Sequence, residues 1–176
     1  MKNLSFYGII ISTIIFFCII LFTPIHSTLV FYERNTDHIT AYLPVHSEQH
    51  FQITFVHSIH LTDVVEKYVV TDEGNIKQYE MIFEQFGIGM PSTIEEGEEM
   101  VFEDGKYHIR NMNNIFESFN IRNGKTVSKH RLSWKGSDDE LYTVPFNDYF
   151  EPGNWYKVKV EKLSYFRLWK EVKIHD

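Results

Sequence analysis

Cysteine is almost missing from this chain. The single thiol, Cys18, lies inside a run of apolar residues, so the rest of the protein has no disulfide, no thiol nucleophile and no cysteine metal site. Two phenylalanines, Phe16 and Phe17, precede Cys18 where a lipidated cysteine would have small residues, and the thiol reads as an apolar filler. Basic residues are also scarce. Lys and Arg total 17 against 24 Asp and Glu, and Lys2 is the only charged residue before Glu33, so the acidic excess belongs wholly to the chain from Glu33 onward. Such a domain is expected to repel nucleic acid and anionic lipid, and no basic stripe with interleaved aromatics offsets that charge. Low-complexity tracts, heptads and internal repeats are absent too, and 176 residues suffice for one packed domain with a short appendage.

Charge is wholly absent from Leu4 to Phe22 (LSFYGIIISTIIFFCIILF), a length suited to a helix crossing a bilayer. This run exceeds the apolar core of a secretory signal, and no A-x-A-like cleavage site comes after it, so an uncleaved anchor is expected. Lys2 on one side and the acidic remainder on the other put the N-terminus in the cytoplasm and the bulk outside. The expected organisation is a cytoplasmic N-terminus and transmembrane anchor over residues 1–26, with an extracytoplasmic β domain over 27–176.

Beyond Pro24 short β-rich runs recur between turn formers: LVFYER (29–34), HITAYL (38–43), HFQITFVH (50–57), VVEKYVVT (64–71) and IKQYEMIFE (76–84). EMVFED and KYHIRN meet at Asp104-Gly105, and IFESFNIR and TVSKHRLSW at Asn123-Gly124, both dipeptides of tight hairpins. ELYTVP (140–145) comes next, and WYKVKVEKL alternates Tyr156, Val158 and Val160 with Lys157, Lys159 and Glu161, the mark of a sheet with one wet face. The tail FRLWKEVKIHD suits either an amphipathic helix, through Phe166, Trp169 and Val172, or the final strand that its alternation favours. Roughly ten short strands with no further helix predict a mainly β fold, an antiparallel β-sandwich or barrel after one N-terminal transmembrane helix.

Two polar residues interrupt this pattern. By period-two reasoning His57 continues the inward set Phe51, Ile53, Phe55, and Glu66 shares its face with Val64, Tyr68 and Val70. A hairpin centred on Leu61 and Thr62 would pair His57 with Glu66, which would hydrogen-bond because a buried polar group left alone is costly. His57, His60, Asp63 and Glu66 offer zinc-type donors, but H-S-I-H is not H-E-x-x-H and residues three apart on a strand face opposite ways, so no metal site is assigned. A Ser58, His57, Glu66 triad fails likewise, since no G-x-S-x-G elbow surrounds Ser58. The catalytic and cofactor assignments are therefore empty, and His57, Ser58 and Glu66 stand as a ligand or structural polar group.

Gly87, Gly89 and Pro91 in EQFGIGMPS complete that group. The third glycine and the βαβ context of a dinucleotide fingerprint are missing, so the two glycines mark a sharp bend, with close approach of a ligand as their alternative use. The acidic run Glu95 to Glu99 lacks the Asx-rich surroundings of a calcium loop and reads as solvated. The remaining histidines, at 26, 38, 46, 50, 108, 130 and 175, form no group along the chain and receive no role.

Taken together, the N-terminal apolar run, the spacing HS-x7-E from His57-Ser58 to Glu66, FGIGMP at 86–91 and the Asp104-Gly105 turn resemble a family of small bacterial and archaeal domains with no assigned activity. The resemblance spans roughly residues 28–165. Its glycine motif usually reads F-G-A-G-L-P, so Ile88 and Met90 depart conservatively. Members are often encoded beside TAXI-type TRAP transporters, which move organic acids with a soluble binding protein and membrane subunits. The resemblance thus implies a non-enzymatic accessory or ligand-sensing module, with the membrane, through residues 4–22, and transporter subunits or a solute-binding protein as partners. The alternatives are a metal- or carboxylate-assisted hydrolase using His57 and Glu66, with His60, and a purely structural envelope protein in which the pair clasps a hairpin.

Overall fold

The computed structural model describes residues 2–136 and 138–175, with side chains in the first helix from Phe6 onward, so the side chains of Lys2 and Leu4 lie outside the described residues. Helix α1 (Lys2–Phe22) leads directly into two antiparallel sheets. The smaller sheet has the order β2 (Ile39–Pro44), β1 (His26–Glu33), β12 (Trp155–Leu163), β9 (Phe119–Arg122). The larger runs β11 (Leu141–Pro145), β10 (Arg131–Lys135), β3 (His50–Val56), β4 (Asp63–Val70), β5 (Ile76–Phe83), β7 (Lys106–Arg110), β6 (Glu99–Glu103). The far side of β5 is shared end to end, with β7 on Met81–Phe83 and β8 (Asn114–Phe116) on Ile76–Gln78.

Inward-facing residues of both sheets meet in one core, where Leu29, Phe31 and Val158 from the smaller sheet join Phe51, Ile53, Tyr68 and Leu132 from the larger. Each such side chain withdrawn from water contributes about 1.5–3 kcal/mol. Both sheets stay open among the described residues, so the barrel alternative is not what forms. A satellite cluster of Val64, Met81, Phe83, Ile109 and Met112 lies where the larger sheet extends past the smaller one, with Met90 packed on it from the 84–98 loop.

Backbone bonds from Val45 N to Ser27 O and from Glu48 N to Val70 O gather the start of β1 and the ends of β2 and β4 at the α1 end of the domain. The β3–β4 turn therefore lies at the opposite end. Every described side chain of α1 is exposed. Among the described residues, no helix is long and apolar enough to cross a membrane.

Three local expectations meet different fates. The Asp104-Gly105 hairpin forms as expected, both residues with positive φ, 51° and 79°. Asn123-Gly124, by contrast, makes no hairpin. IFESFNIR splits at Glu117-Ser118 into β8 and β9, which join different sheets, and the chain then crosses back to β10. Asn123 is buried there, its amide donating to Asn147 Oδ1 at 2.9 Å and Phe150 O at 2.8 Å, a corner brace instead of a turn residue. The tail, expected as a strand, forms a short helix α2 (Tyr165–Lys170) whose N-cap Ser164 accepts from Arg167 N. Only its last residues pair, where Ile174 N donates to Tyr42 O and Tyr42 N to Val172 O.

Candidate functional site

The ladder between β3 and β4 sets Ile53 opposite Glu66 and Val56 opposite Asp63. His57 and Glu66 are therefore not cross-strand partners. The cause is the turn. Leu61 and Thr62 lack tight-turn chemistry, and the chain instead makes a wider turn over residues 57–62, closed by His57 N to Thr62 O at 2.8 Å and Leu61 N to His57 O at 2.9 Å. Moving the register by an even step keeps every side chain on its face, so the inward direction of both residues holds while the partner changes.

His57, just past the end of β3 and buried, turns to the glycine loop. Its Nε2 lies 3.0 Å from Ile88 O. Its Nδ1 faces the backbone N–H groups of Ile59 and His60 at 3.4 and 3.3 Å, which only an unprotonated nitrogen can accept. Nδ1 is thus the acceptor, Nε2–H donates to the Ile88 carbonyl, and both ring nitrogens are spent on backbone.

The two glycines have different reasons to be there. Met90 N donates to Gly87 O at 3.0 Å, closing a four-residue turn whose third residue, Gly89, has φ +87°, the conformation that a type II turn demands. Gly87 carries no positive φ, yet a Cβ on it would lie 2.2 Å from Nε2 of His60. The His60 ring stacks on His57 at 4.8 Å with 17° between planes, and its Nε2 is buried without a hydrogen-bond partner. His57, His60, Gly87 and Ile88 thus form one latch joining the β3–β4 turn to the 84–98 loop. Ser58 and Gly89 face solvent and Pro91 is half-buried beyond the turn.

The latch presents apolar surface outward. Ile88 is 82% exposed and Leu61 65%, and Leu61 also holds φ 57°, a left-handed conformation that costs a residue with a Cβ about 1–2 kcal/mol. Glu66 takes no part. Its Oε2 accepts from Tyr68 Oη at 2.8 Å, and the Tyr68 ring is stacked between Phe51 at 5.1 Å and Phe119 at 5.3 Å. Burial pushes the Glu66 carboxyl above its ordinary range, with the Tyr68 hydroxyl opposing that shift, and burial together with Glu66 pushes the Tyr68 phenol far up.

One polar arrangement went unseen in the sequence. On the outer face of the larger sheet Glu80 receives Lys67 Nζ at 2.7 Å and His108 Nδ1 at 2.9 Å, with Arg110 Nε at 3.6 Å. Burial alone would raise the Glu80 carboxyl, but the bonds from Lys67 and His108 prevail and lower it. Strict alternation along IKQYEMIFE cannot bring Gln78 and Met81 to one face. A bulge at Tyr79 does so, and the same bulge turns Tyr79 and Glu80 outward. Beside them a shallow cavity of about 360 Å³ is lined by His50, Gln52, Lys67, Tyr79, Ser133 and Lys135.

Among the described residues no group of three or more His, Cys, Asp or Glu is placed to hold a metal ion. Residues 51–141 match the family model described as Domain of unknown function (DUF1850). No curated protein and no solved structure matches the chain. The matched segment contains the latch, Glu66 with Tyr68, and the Glu80 network, while β1, β12 and α2 lie outside it. Through that match, which covers more than half of its length, the chain belongs to the DUF1850 domain family.

Proposed function

We propose that this protein is a single-pass, membrane-anchored extracytoplasmic domain that acts without catalysis, as an accessory or ligand-sensing module of a TAXI-type TRAP transporter. Its N-terminus lies in the cytoplasm and residues 27–176 outside. The uncharged run back to Leu4 supports the anchor, since at 1.5 Å per residue it reaches roughly 28 Å, close to the bilayer's hydrocarbon thickness. So does the surface of α1, apolar at every described position except Tyr7, Ser12 and Thr13, which no amphipathic docking onto the sheets would explain.

The observation that carries the non-enzymatic reading is the hydrogen bonding of His57. A general base needs a nitrogen free to take a proton, and both of its nitrogens are committed to backbone groups. Glu66, the other member of the hydrolase alternative, is turned to Tyr68 in the interior. What the motif builds is a pole with Ile88, Leu61 and Ile59 exposed, a surface suited to binding. Affinity purification of the full chain from native membranes tests the assignment. Transporter or solute-binding subunits are expected in the eluate, and the reading is lost if none is recovered and the deletion strain transports normally.

A further inference from the structure

The end of α1 does not stand clear of the domain. Phe22, its last residue, packs its ring 5.0 Å from Phe166 of α2, and His26 at the start of β1 meets Tyr165 edge-on at 4.1 Å. Helix α2 therefore rides beside the point where α1 ends. Its inner side meets the sheet through Leu168, which packs half-buried on Val30, Ile39, Tyr42 and Leu163, and Tyr42 Oη donates to the Leu168 carbonyl at 2.9 Å.

The outer side is unlike a soluble surface. Tyr165, Phe166, Trp169 and Val172 are exposed, and Trp169, at 83%, is the most exposed large apolar side chain among the described residues. The exposed Lys162, Lys170 and Lys173 flank them in the chain, while Arg167 pairs with Glu171 at 3.6 Å. Aromatic rings with a polar edge, beside lysines with long apolar stems, are the chemistry of the boundary between headgroups and acyl chains. The position agrees with the chemistry, because the last residue of a membrane helix sits at that boundary and Phe166 is in contact with it.

From this contact we infer that α2 and Val172 form a second membrane contact, lying in the outer headgroup layer of the bilayer that α1 enters and fixing the tilt of the β domain. The inference rests on the proposed anchoring by α1. It places the latch with Ile59, Leu61 and Ile88 at the end of the sheets far from the lipid, facing whatever the domain binds.

The test uses the full chain in phosphatidylcholine and phosphatidylglycerol vesicles carrying lipids brominated either near the headgroup or deep in the acyl chain. Buried Trp134 and the exposed Trp155 are common to both chains, so subtracting the fluorescence of the Trp169→Phe variant isolates Trp169. The Trp169 signal is expected to lose at least half its intensity with shallow bromines and clearly less with deep ones. An Ile88→Trp substitution made in the Trp169→Phe chain should add a signal that neither lipid quenches. A Trp169 signal untouched by both lipids, in protein that stays with the vesicles through alkaline carbonate, overturns the α2 contact alone. Protein that carbonate strips from the vesicles overturns the anchor and the α2 contact together.

Discussion

Gly87→Ala is the sharpest probe of the latch. The added Cβ would sit 2.2 Å from His60 Nε2 and 3.2 Å from the two neighbouring ring carbons. Ordinary contact between such atoms is about 3.5 Å, so the imidazole must retreat by roughly 1 Å. The Cβ meets the ring edge-on at Nε2, and the ring stacks on His57, which holds the Ile88 carbonyl, so the retreat disturbs the whole latch. Overpacking of this kind costs about 1–3 kcal/mol. In a His60→Ala background the ring is gone, and since φ at residue 87 is not positive, alanine there should be neutral or stabilise by about 0.4–1 kcal/mol. The two changes should therefore couple by about 1–3 kcal/mol, read as shifts in the midpoint of urea unfolding at constant slope in mild detergent. Gly89→Ala is the control. Nothing lies within 4 Å of its Cβ position, so its cost of about 1–2 kcal/mol comes from the left-handed backbone and should be the same with or without His60. Equal destabilisation by Gly87→Ala in both backgrounds would refute the proposed packing of His60 under the loop.

Buried titratable groups give three further expected outcomes. The His130 ring lies between Phe55 and Phe146 with Nδ1 unpartnered, and burial pushes its imidazole down to about 4, so the unfolded chain takes up this proton first. The stability it allows is complete above about pH 6.5 and should fall by about 2 kcal/mol by pH 5, a loss that His130→Phe should abolish in pH-dependent unfolding. Glu66 has a raised value in the folded state, so its contribution is present in acid and is lost as the pH rises through that value. Glu66→Gln, which keeps an acceptor for Tyr68, should therefore match or exceed the parent at pH 8 and lose its advantage towards pH 4. A clear loss of stability at pH 8 would show the carboxylate to be favourably paired. For Glu80 the sign is opposite: its folded value is lowered, so its contribution is present above the ordinary carboxyl range and disappears as acid titrates it. Lys67→Met should cost about 1–3 kcal/mol at pH 7 by unfolding, and progressively less below pH 4.

Much of the strand pattern was legible from the chain because alternation and turn chemistry are local. HFQITFVH, VVEKYVVT and WYKVKVEKL pointed the right residues inward, and Asp104-Gly105 named its own turn. Partners were less legible. The same dipeptide chemistry at Asn123-Gly124 failed because the Asn123 side chain found buried acceptors at a sheet corner, a long-range bond that no local rule contains. The tail became a helix because Ser164 caps it and Leu168 fills a site on the outer face of β1 and β2.

The site divides in the same way. That His57 and Glu66 point inward, and that Gly87 and Gly89 bend the chain, comes from a period of two and from the conformational range of glycine, both properties of a few neighbouring residues. Tertiary structure decided what they touch. A turn of residues 57–62 in place of a two-residue one moved His57 away from Glu66 and onto the Ile88 carbonyl, 31 positions along the chain. A one-residue bulge at Tyr79 assembled the Glu80 network. Inward or outward direction is written in the pattern, whereas register depends on the competing packing of whole strands.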